Sequence, residues 1–127
     1  MKRSLPLAGL LALACLLPVS PPAGAAGWVV LLKDTPAEDY DDEDLGLFFS
    51  TAKRTLEAEG PPEEVQWSNP ATGAGGRFKE LSRSTDAQGR PCKRLRFGIY
   101  SKKKSEQFTT WLVCRDKDGR WRLAAAG

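Results

Sequence analysis

The sequence predicts an α+β domain in which one N-terminal helix packs on a four- to five-stranded antiparallel meander sheet that carries a cross-strand disulfide. Three observations support this prediction. Residues 45–59 have the apolar spacing of an amphipathic helix, residues 65–123 contain short strand-like segments separated by turn residues, and Cys92 and Cys114 stand at the ends of two of these segments. A chain of 127 residues has the length of a single domain.

Residues 1–25 have the features of a secretory signal peptide. Lys2 and Arg3 precede an apolar stretch at 5–17, prolines interrupt that stretch, and 23–25 offer a small-residue cleavage pattern. The apolar stretch is too short to span a bilayer, which takes roughly 20 residues. We therefore expect an exported chain with no transmembrane helix in its mature form.

Cys15 introduces an alternative, in which signal cleavage leaves a lipidated cysteine at the mature N-terminus. The residues before it fit that pattern poorly, because leucine is expected where Ala12 stands and a smaller residue where Leu13 stands. We favour removal of Cys15 with the signal peptide and keep the lipid anchor as the alternative.

Residues 26–44 are expected to form an acidic linker or N-terminal extension. The apolar segment 28–32 fits either a short strand or the end of the export segment, and the sequence does not decide between them. Residues 33–44 are acidic and turn-like, which is typical of an exposed linker.

The segment 45–59 is the one predicted helix. Leu45, Phe48, Phe49, Ala52 and Leu56 recur at helical spacing and form one apolar stripe. Four acidic residues at 41–44 favour the positive end of the helix dipole, and one of them can serve as the N-cap. A glycine and two prolines at 60–62 end the helix. The apolar face of the sheet is the partner that this stripe requires.

Short strands follow the helix. We predict strands at 65–67, 77–81 and 121–123, turns at 68–73, 85–89 and 116–119, a β-bulge at Gly75 and Gly76, and a tail at 124–127. The domain itself is expected to span 45–123.

Residues 92–114 predict a β-hairpin. If Cys92 and Cys114 face each other, Leu95 opposes Trp111 and Gly98 opposes Phe108, and a turn of about five residues remains at 101–105. Period-two alternation then places one face of apolar residues against the helix, with both cysteines on the other face. Two separate buried thiols are the alternative, but an exported chain favours the disulfide because its compartment is oxidising.

Charge is distributed very unevenly. Residues 26–64 contain three basic and eleven acidic residues, whereas residues 65–127 contain fourteen basic and five acidic residues. The candidate face for an anionic partner comprises Arg94, Arg96, Lys102, Lys103, Lys104, Arg120 and Arg122. Lipopolysaccharide phosphates, anionic lipid headgroups or an acidic envelope protein would suit this face. The alternative is that the acidic residues of 26–64 fold back and neutralise this basic face. Nucleic acid is disfavoured as a partner because the chain is expected to be exported.

Three segments together resemble the C-terminal domain of the seventeen-kilodalton outer-membrane surface-antigen family of Gram-negative bacteria. They are 65–76 (VQWSNPATGAGG), 89–94 (GRPCKR) and 114–121 (CRDKDGRW), although Lys93 stands where the family pattern has arginine. The resemblance implies this fold and a location in the periplasm or at the outer membrane. It implies no catalytic activity.

A second candidate site is the turn between the first two strands, which supplies Trp67, Asn69, Pro70, Thr72 and Gly73 as a possible recognition edge. A structural corner is the alternative reading of this turn.

No residue pattern indicates an enzyme, a cofactor or a metal. The chain has no histidine and therefore lacks the commonest general base and metal ligand, and no Cys-x-x-Cys pair is present. We predict a non-enzymatic structural or binding protein of the cell envelope. The alternative is an inhibitor of an envelope hydrolase such as lysozyme, with residues 69–75 as the inserting loop. The sequence does not indicate an oligomeric state.

Overall fold

The computed structural model describes residues 23–127 and shows the predicted α+β architecture. Helix α1 spans Ala23–Leu32, a short 3-10 helix spans Pro36–Asp39, and helix α2 spans Asp42–Glu57. The strands are β1 (Val65–Asn69), β2 (Ala74–Thr85), β3 (Pro91–Tyr100), β4 (Gln107–Arg115) and β5 (Trp121–Ala126). Each strand is antiparallel to the next, so the sheet is a five-stranded meander in chain order. Residues 1–22 of the predicted signal peptide (1–25), including Cys15, lie outside the described residues, and 23–25 belong to α1.

Helix α2 begins three residues earlier than the predicted start at Leu45 because the acidic residues form its first turn instead of preceding it. Asp41 is the N-cap, and its carboxylate accepts a hydrogen bond from the Asp44 amide. The Asp44 carboxylate in turn accepts one from the Asp41 amide, which completes a capping box. The helix ends at Glu57, shortly before the predicted Gly-Pro-Pro stop.

The core lies between α2 and one face of the sheet. Phe48 is fully buried at its centre, and its ring lies 5.1 Å from that of Phe78 and 5.7 Å from that of Phe97, measured between ring centroids. Ala52 and Leu56 continue the buried stripe along α2, as its helical spacing predicts.

The hairpin prediction is confirmed. Strands β3 and β4 pair Cys92 with Cys114 and Gly98 with Phe108, and a disulfide joins the two cysteines. A Cβ atom at residue 98 would collide with the Phe108 ring, so glycine is needed where that ring crosses the backbone.

The expectation of an exposed linker at 33–44 was wrong, because these residues include the short 3-10 helix and the first turn of α2. Residues 28–32 belong to α1 and are not a strand, with Trp28 and Leu32 buried, and the 3-10 helix buries Ala37. The physical reason is that the apolar side chains of this segment extend the core: the Trp28 ring lies 6.2 Å from that of Phe48 and 6.3 Å from that of Phe97.

Two smaller predictions about the strands were also wrong. Gly75 and Gly76 pair in regular register with both β1 and β3, and the register shift in β2 lies between Glu80 and Ser82 instead. These glycines allow close approach, because a Cβ atom on Gly75 would collide with the Tyr100 ring. The predicted tail at 124–127 is largely strand, since β5 continues to Ala126. None of the helices described within 23–127 has the length and hydrophobicity needed to cross a membrane.

Candidate functional site

The face of the sheet opposite the helices, here called the outer face, concentrates basic side chains. Alternation along β3 places Arg94 and Arg96 on this face together with Cys92, as the sequence predicted. The register between β2 and β3 adds two cations that sequence reasoning missed, Arg77 and Lys79. The Arg-Phe-Lys alternation at 77–79 was the available signal for both.

Lys79 and Arg96 are directly opposed on β2 and β3, and both are exposed. Like charges in this position destabilise a sheet. Among the ion pairs of the described residues, none involves Lys79, Arg94 or Arg96. The Arg94 guanidinium donates to a main-chain oxygen of Gly127. These three cations form a cluster with which no Asp or Glu side chain of the described residues forms an ion pair.

An exposed aromatic ring adjoins this cluster. Phe108 keeps 48 % of its surface exposed, and the Arg96 guanidinium lies 4.4 Å from its ring centroid. The Arg77 guanidinium lies 5.7 Å from the same ring and also forms a two-point ion pair with Glu106, with nitrogen–oxygen distances of 2.7 and 2.9 Å. Both arginines are therefore held in place beside the ring, and Arg96 has no carboxylate partner within the described chain.

The other predicted basic residues are more dispersed. In the turn between β3 and β4, the Lys104 ammonium lies 3.6 Å from Glu38 and 3.9 Å from Asp39, so the acidic N-terminal segment partly neutralises this turn. Lys102 and Lys103 in the same turn are exposed. Arg122 lies on β5 opposite Cys114 and pairs with Asp116 at 2.5 Å, while Arg120 is exposed in the turn before it.

The predicted recognition turn directs its polar side chains inward. Asn69 is buried and donates to the Asp44 carboxylate at 2.8 Å, and the Thr72 hydroxyl donates to the same carboxylate at 2.7 Å. Trp67 is buried in the core, whereas Pro70 and Gly73 are exposed. This arrangement joins the turn to the first turn of α2 and matches the structural-corner alternative.

The comparison with protein families adds to this geometry. The model of the family described as 17 kDa outer membrane surface antigen matches residues 54–122, more than half of the chain. The chain belongs to this family. Comparisons with curated proteins and with solved structures gave no match. The matched segment contains strands β1 to β4, the disulfide, the cluster of Lys79, Arg94 and Arg96, and the first two residues of β5.

Membership confirms the resemblance drawn from the three sequence segments. It indicates an envelope-associated location in Gram-negative bacteria and favours a non-enzymatic role. Helix α1 and the 3-10 helix precede the matched segment, so the family comparison says nothing about them.

The carboxylates that lie close to basic groups in this surface-antigen domain have structural roles. A hydrogen bond from the Arg122 side chain, together with those from the backbone amides of Arg120 and Asp118, holds the pKa of the Asp116 carboxyl below the ordinary value. Asp86 lies close to both cysteine sulfurs, but the disulfide occupies those sulfurs, so this trio does not offer thiolate ligands for a metal.

A charge cluster around the buried Glu80 lies just beyond the C-terminal end of α2. Lys93 donates to the carbonyl oxygen of Ala58 at 2.7 Å and lies 3.2 Å from Glu80, and Arg83 bonds to Glu80 and to the carbonyl of Gly60. Burial by itself would raise the pKa of Glu80, but the hydrogen bonds from Arg83 and Lys93 hold it below the ordinary value. The two cations bind backbone carbonyls just after the end of α2 and one buried carboxylate, so this cluster is structural.

Asp44 provides a prediction about pH. Burial would raise the pKa of its carboxyl, but the hydrogen bonds from Thr72, Asp41 and Asn69 lower it below the ordinary value. A lowered pKa in the folded state contributes stability above the pKa of the unfolded chain, and this contribution is lost as pH falls through the folded-state pKa. We expect Asp44→Asn to reduce the free energy of unfolding near neutral pH by about 1–3 kcal/mol.

Urea denaturation of Asp44→Asn and native protein between neutral pH and pH 3 measures this effect. The difference between them should shrink toward the acid end. Asp42→Asn is the matched control, because Asp42 is exposed in the same helical turn. An acid profile of Asp44→Asn parallel to that of the native protein would contradict the prediction.

Proposed function

We propose that the domain is a non-enzymatic module of the cell envelope that binds a phosphate-bearing envelope component on the outer face of its sheet. The observation that carries this proposal is the Lys79–Arg96 juxtaposition, which places two exposed like charges on neighbouring strands with Arg94 beside them. A sheet gains nothing by itself from opposing like charges, whereas a phosphate bridging them removes the repulsion.

The charge distribution supports the same face. The Arg96 guanidinium stacks on the Phe108 ring. The N–H groups at the edge of the guanidinium remain available to bind phosphate. The acidic segment reaches Lys104 in the turn, and no acidic side chain of the described residues pairs with the three clustered cations. The neutralisation expected as the alternative therefore applies to the turn and not to the cluster.

The alternative of a lysozyme inhibitor has less support in the site. Its inserting loop was expected at residues 69–75, where Asn69 and Thr72 are both bonded to Asp44 and Gly75 is buried under Tyr100. Few polar groups of this turn remain to engage an enzyme cleft.

The proposal predicts that Lys79→Gln/Arg94→Gln/Arg96→Gln binds inorganic polyphosphate at least about tenfold more weakly than the native protein, equivalent to about 1.4 kcal/mol. Polyphosphate presents phosphate charge without acyl chains, and calorimetric titration at low salt measures the dissociation constant. Rising salt should weaken binding of the native protein, because exposed charges are screened.

Lys53→Gln/Arg54→Gln/Lys117→Gln is the matched control. It removes the same charge from exposed positions on α2 and in the turn between β4 and β5. This control should keep most of the native affinity. Equal losses in the two triple variants would show that only net charge matters, and absence of native binding would reject the proposed function.

A further inference from the structure

Next to the outer face, the first part of β4 leaves an apolar cleft open. Strand β5 pairs with β4 from Trp111 to Arg115, so within residues 23–127 no strand pairs with residues 107–109 of β4 on that side. Helix α1 lies near this edge, where Val30 and Leu31 line an open cleft of about 230 Å³ together with Phe108 and Trp111. The cleft is thus formed by one helix and one unpaired strand edge.

Helix α1 is apolar around its whole circumference. Its sequence AGAAGWVVLL contains no charged or polar side chain. Trp28 and Leu32 face the core, but Val30 is 77 % exposed. A helix on the surface of a soluble domain ordinarily presents a polar face to water, and one that is apolar all round requires an apolar environment on both sides. The expected signal-peptide boundary after residue 25 keeps 26–32 in the exported chain.

The surroundings of the cleft indicate the chemistry of its partner. Phe108 lines the cleft, and the guanidinium groups of Arg96 and Arg77 lie 4.4 and 5.7 Å from the centroid of its ring. The exposed apolar surface therefore joins the cationic outer face at a single residue. An anionic lipid surface offers matching chemistry, because its acyl chains lie beneath a layer of phosphate groups. Peripheral proteins bind such surfaces by inserting apolar side chains and by pairing basic residues with the phosphates.

We propose that the cleft between α1 and the unpaired edge of β4 contacts an anionic lipid bilayer. Val30 and Phe108 enter the boundary between headgroups and acyl chains, and Arg96 with its neighbouring cations lies at the level of the phosphates. This inference rests on the proposed function and names its partner class. It assigns to α1 a role in binding that the family comparison, which begins at residue 54, does not cover.

Sedimentation with vesicles tests the inference on the protein purified after export. Native protein should bind vesicles of phosphatidylglycerol and phosphatidylcholine and bind vesicles of phosphatidylcholine alone much more weakly. Val30→Ser should lower the partition coefficient for the anionic vesicles by about tenfold, since a buried valine side chain contributes that much to transfer from water. Phe108→Ser should cause a loss of similar size.

Leu81→Ser is the matched control, because Leu81 is also exposed but stands in β2, outside the cleft. It should bind within about twofold of native protein. Val30→Ser should also keep native affinity for polyphosphate, which has no acyl chains. Because Val30 is exposed, we expect Val30→Ser to fold as the native protein does, and thermal unfolding of each variant checks this.

The outcomes separate the two proposals. Unchanged vesicle binding by Val30→Ser, or an equal loss in Leu81→Ser, would overturn the lipid contact while the polyphosphate result still decides the proposed function. If the triple variant of Lys79, Arg94 and Arg96 binds the anionic vesicles as native protein does, the outer face does not contact the lipid phosphates. Binding of an acidic protein with no vesicle binding would also contradict the lipid contact.

Discussion

We expect Cys114→Ser to lower the free energy of unfolding by about 2–5 kcal/mol, the range typical of native disulfides in small secreted domains. The bond joins directly opposed residues of β3 and β4 across a sequence separation of 22. In the chain-entropy description, a disulfide that closes a loop of this size lowers the conformational entropy of the unfolded chain. This stabilises the folded state by roughly 3 kcal/mol. Both cysteines are buried, so the variant also leaves a thiol and a hydroxyl where the native protein has an apolar bond.

Guanidinium denaturation followed by circular dichroism measures this loss. The native protein after reduction provides the control, since it loses the covalent constraint while keeping both sulfur atoms. Reduced native protein and Cys114→Ser should both unfold well below the midpoint of oxidised native protein. Oxidised and reduced protein unfolding at the same denaturant concentration would show that the bond does not stabilise the domain.

The second large effect is expected at Phe48. Its side chain is fully buried and makes ring contacts with Trp28, Phe49, Phe78 and Phe97. Phe48→Ala removes this central ring and leaves a cavity between α2 and the sheet, which costs about 3–5 kcal/mol. Equilibrium unfolding in urea gives the value directly.

Phe49→Ala is the natural comparison. Phe49 adjoins Phe48 in sequence but is only partly buried, so its loss should destabilise the domain less. The sequence alone assigned both residues to the same apolar stripe, whereas the structure buries Phe48 more completely than Phe49. Equal effects of the two substitutions, or an unchanged transition in Phe48→Ala, would contradict the position of α2 on the sheet.

Local periodicity was sufficient for much of the fold. The spacing of Phe48, Ala52 and Leu56 predicted the buried stripe of α2, because a helix brings these positions to one side. The β3–β4 register followed from opposing Cys92 and Cys114, because period-two alternation then left one consistent apolar face. Gly98 opposite Phe108 agreed with that register.

Long-range contacts explain what the sequence did not predict. The acidic run at 41–44 reads as exposed linker, yet Asp44 is fully buried because Asn69 and Thr72 reach it from the turn between β1 and β2. Composition contains no sign of this pairing across more than twenty residues. The sequence also did not predict helix α1, since its apolar residues continue the composition of the export signal.

The sequence predicted only part of the candidate site, because the rest of the site depends on long-range contacts. Arg94 and Arg96 follow from alternation within one strand, whereas their neighbour Lys79 depends on the register between β2 and β3. That register shifts between Glu80 and Ser82, where no glycine marks the irregularity. The exposed cleft beside Phe108 depends on where β5 stops pairing with β4, which the sequence did not indicate.

Backbone amide spectra of isotope-labelled protein titrated with polyphosphate test most directly whether the outer face is the binding surface. We expect the largest chemical-shift changes on Lys79, Arg94 and Arg96, and we expect them to saturate together. Exposed cations on α2, such as Lys53 and Arg54, should show small changes. Largest changes on α2, or uniformly small changes over the whole domain, would contradict the claim that phosphate binds the outer face.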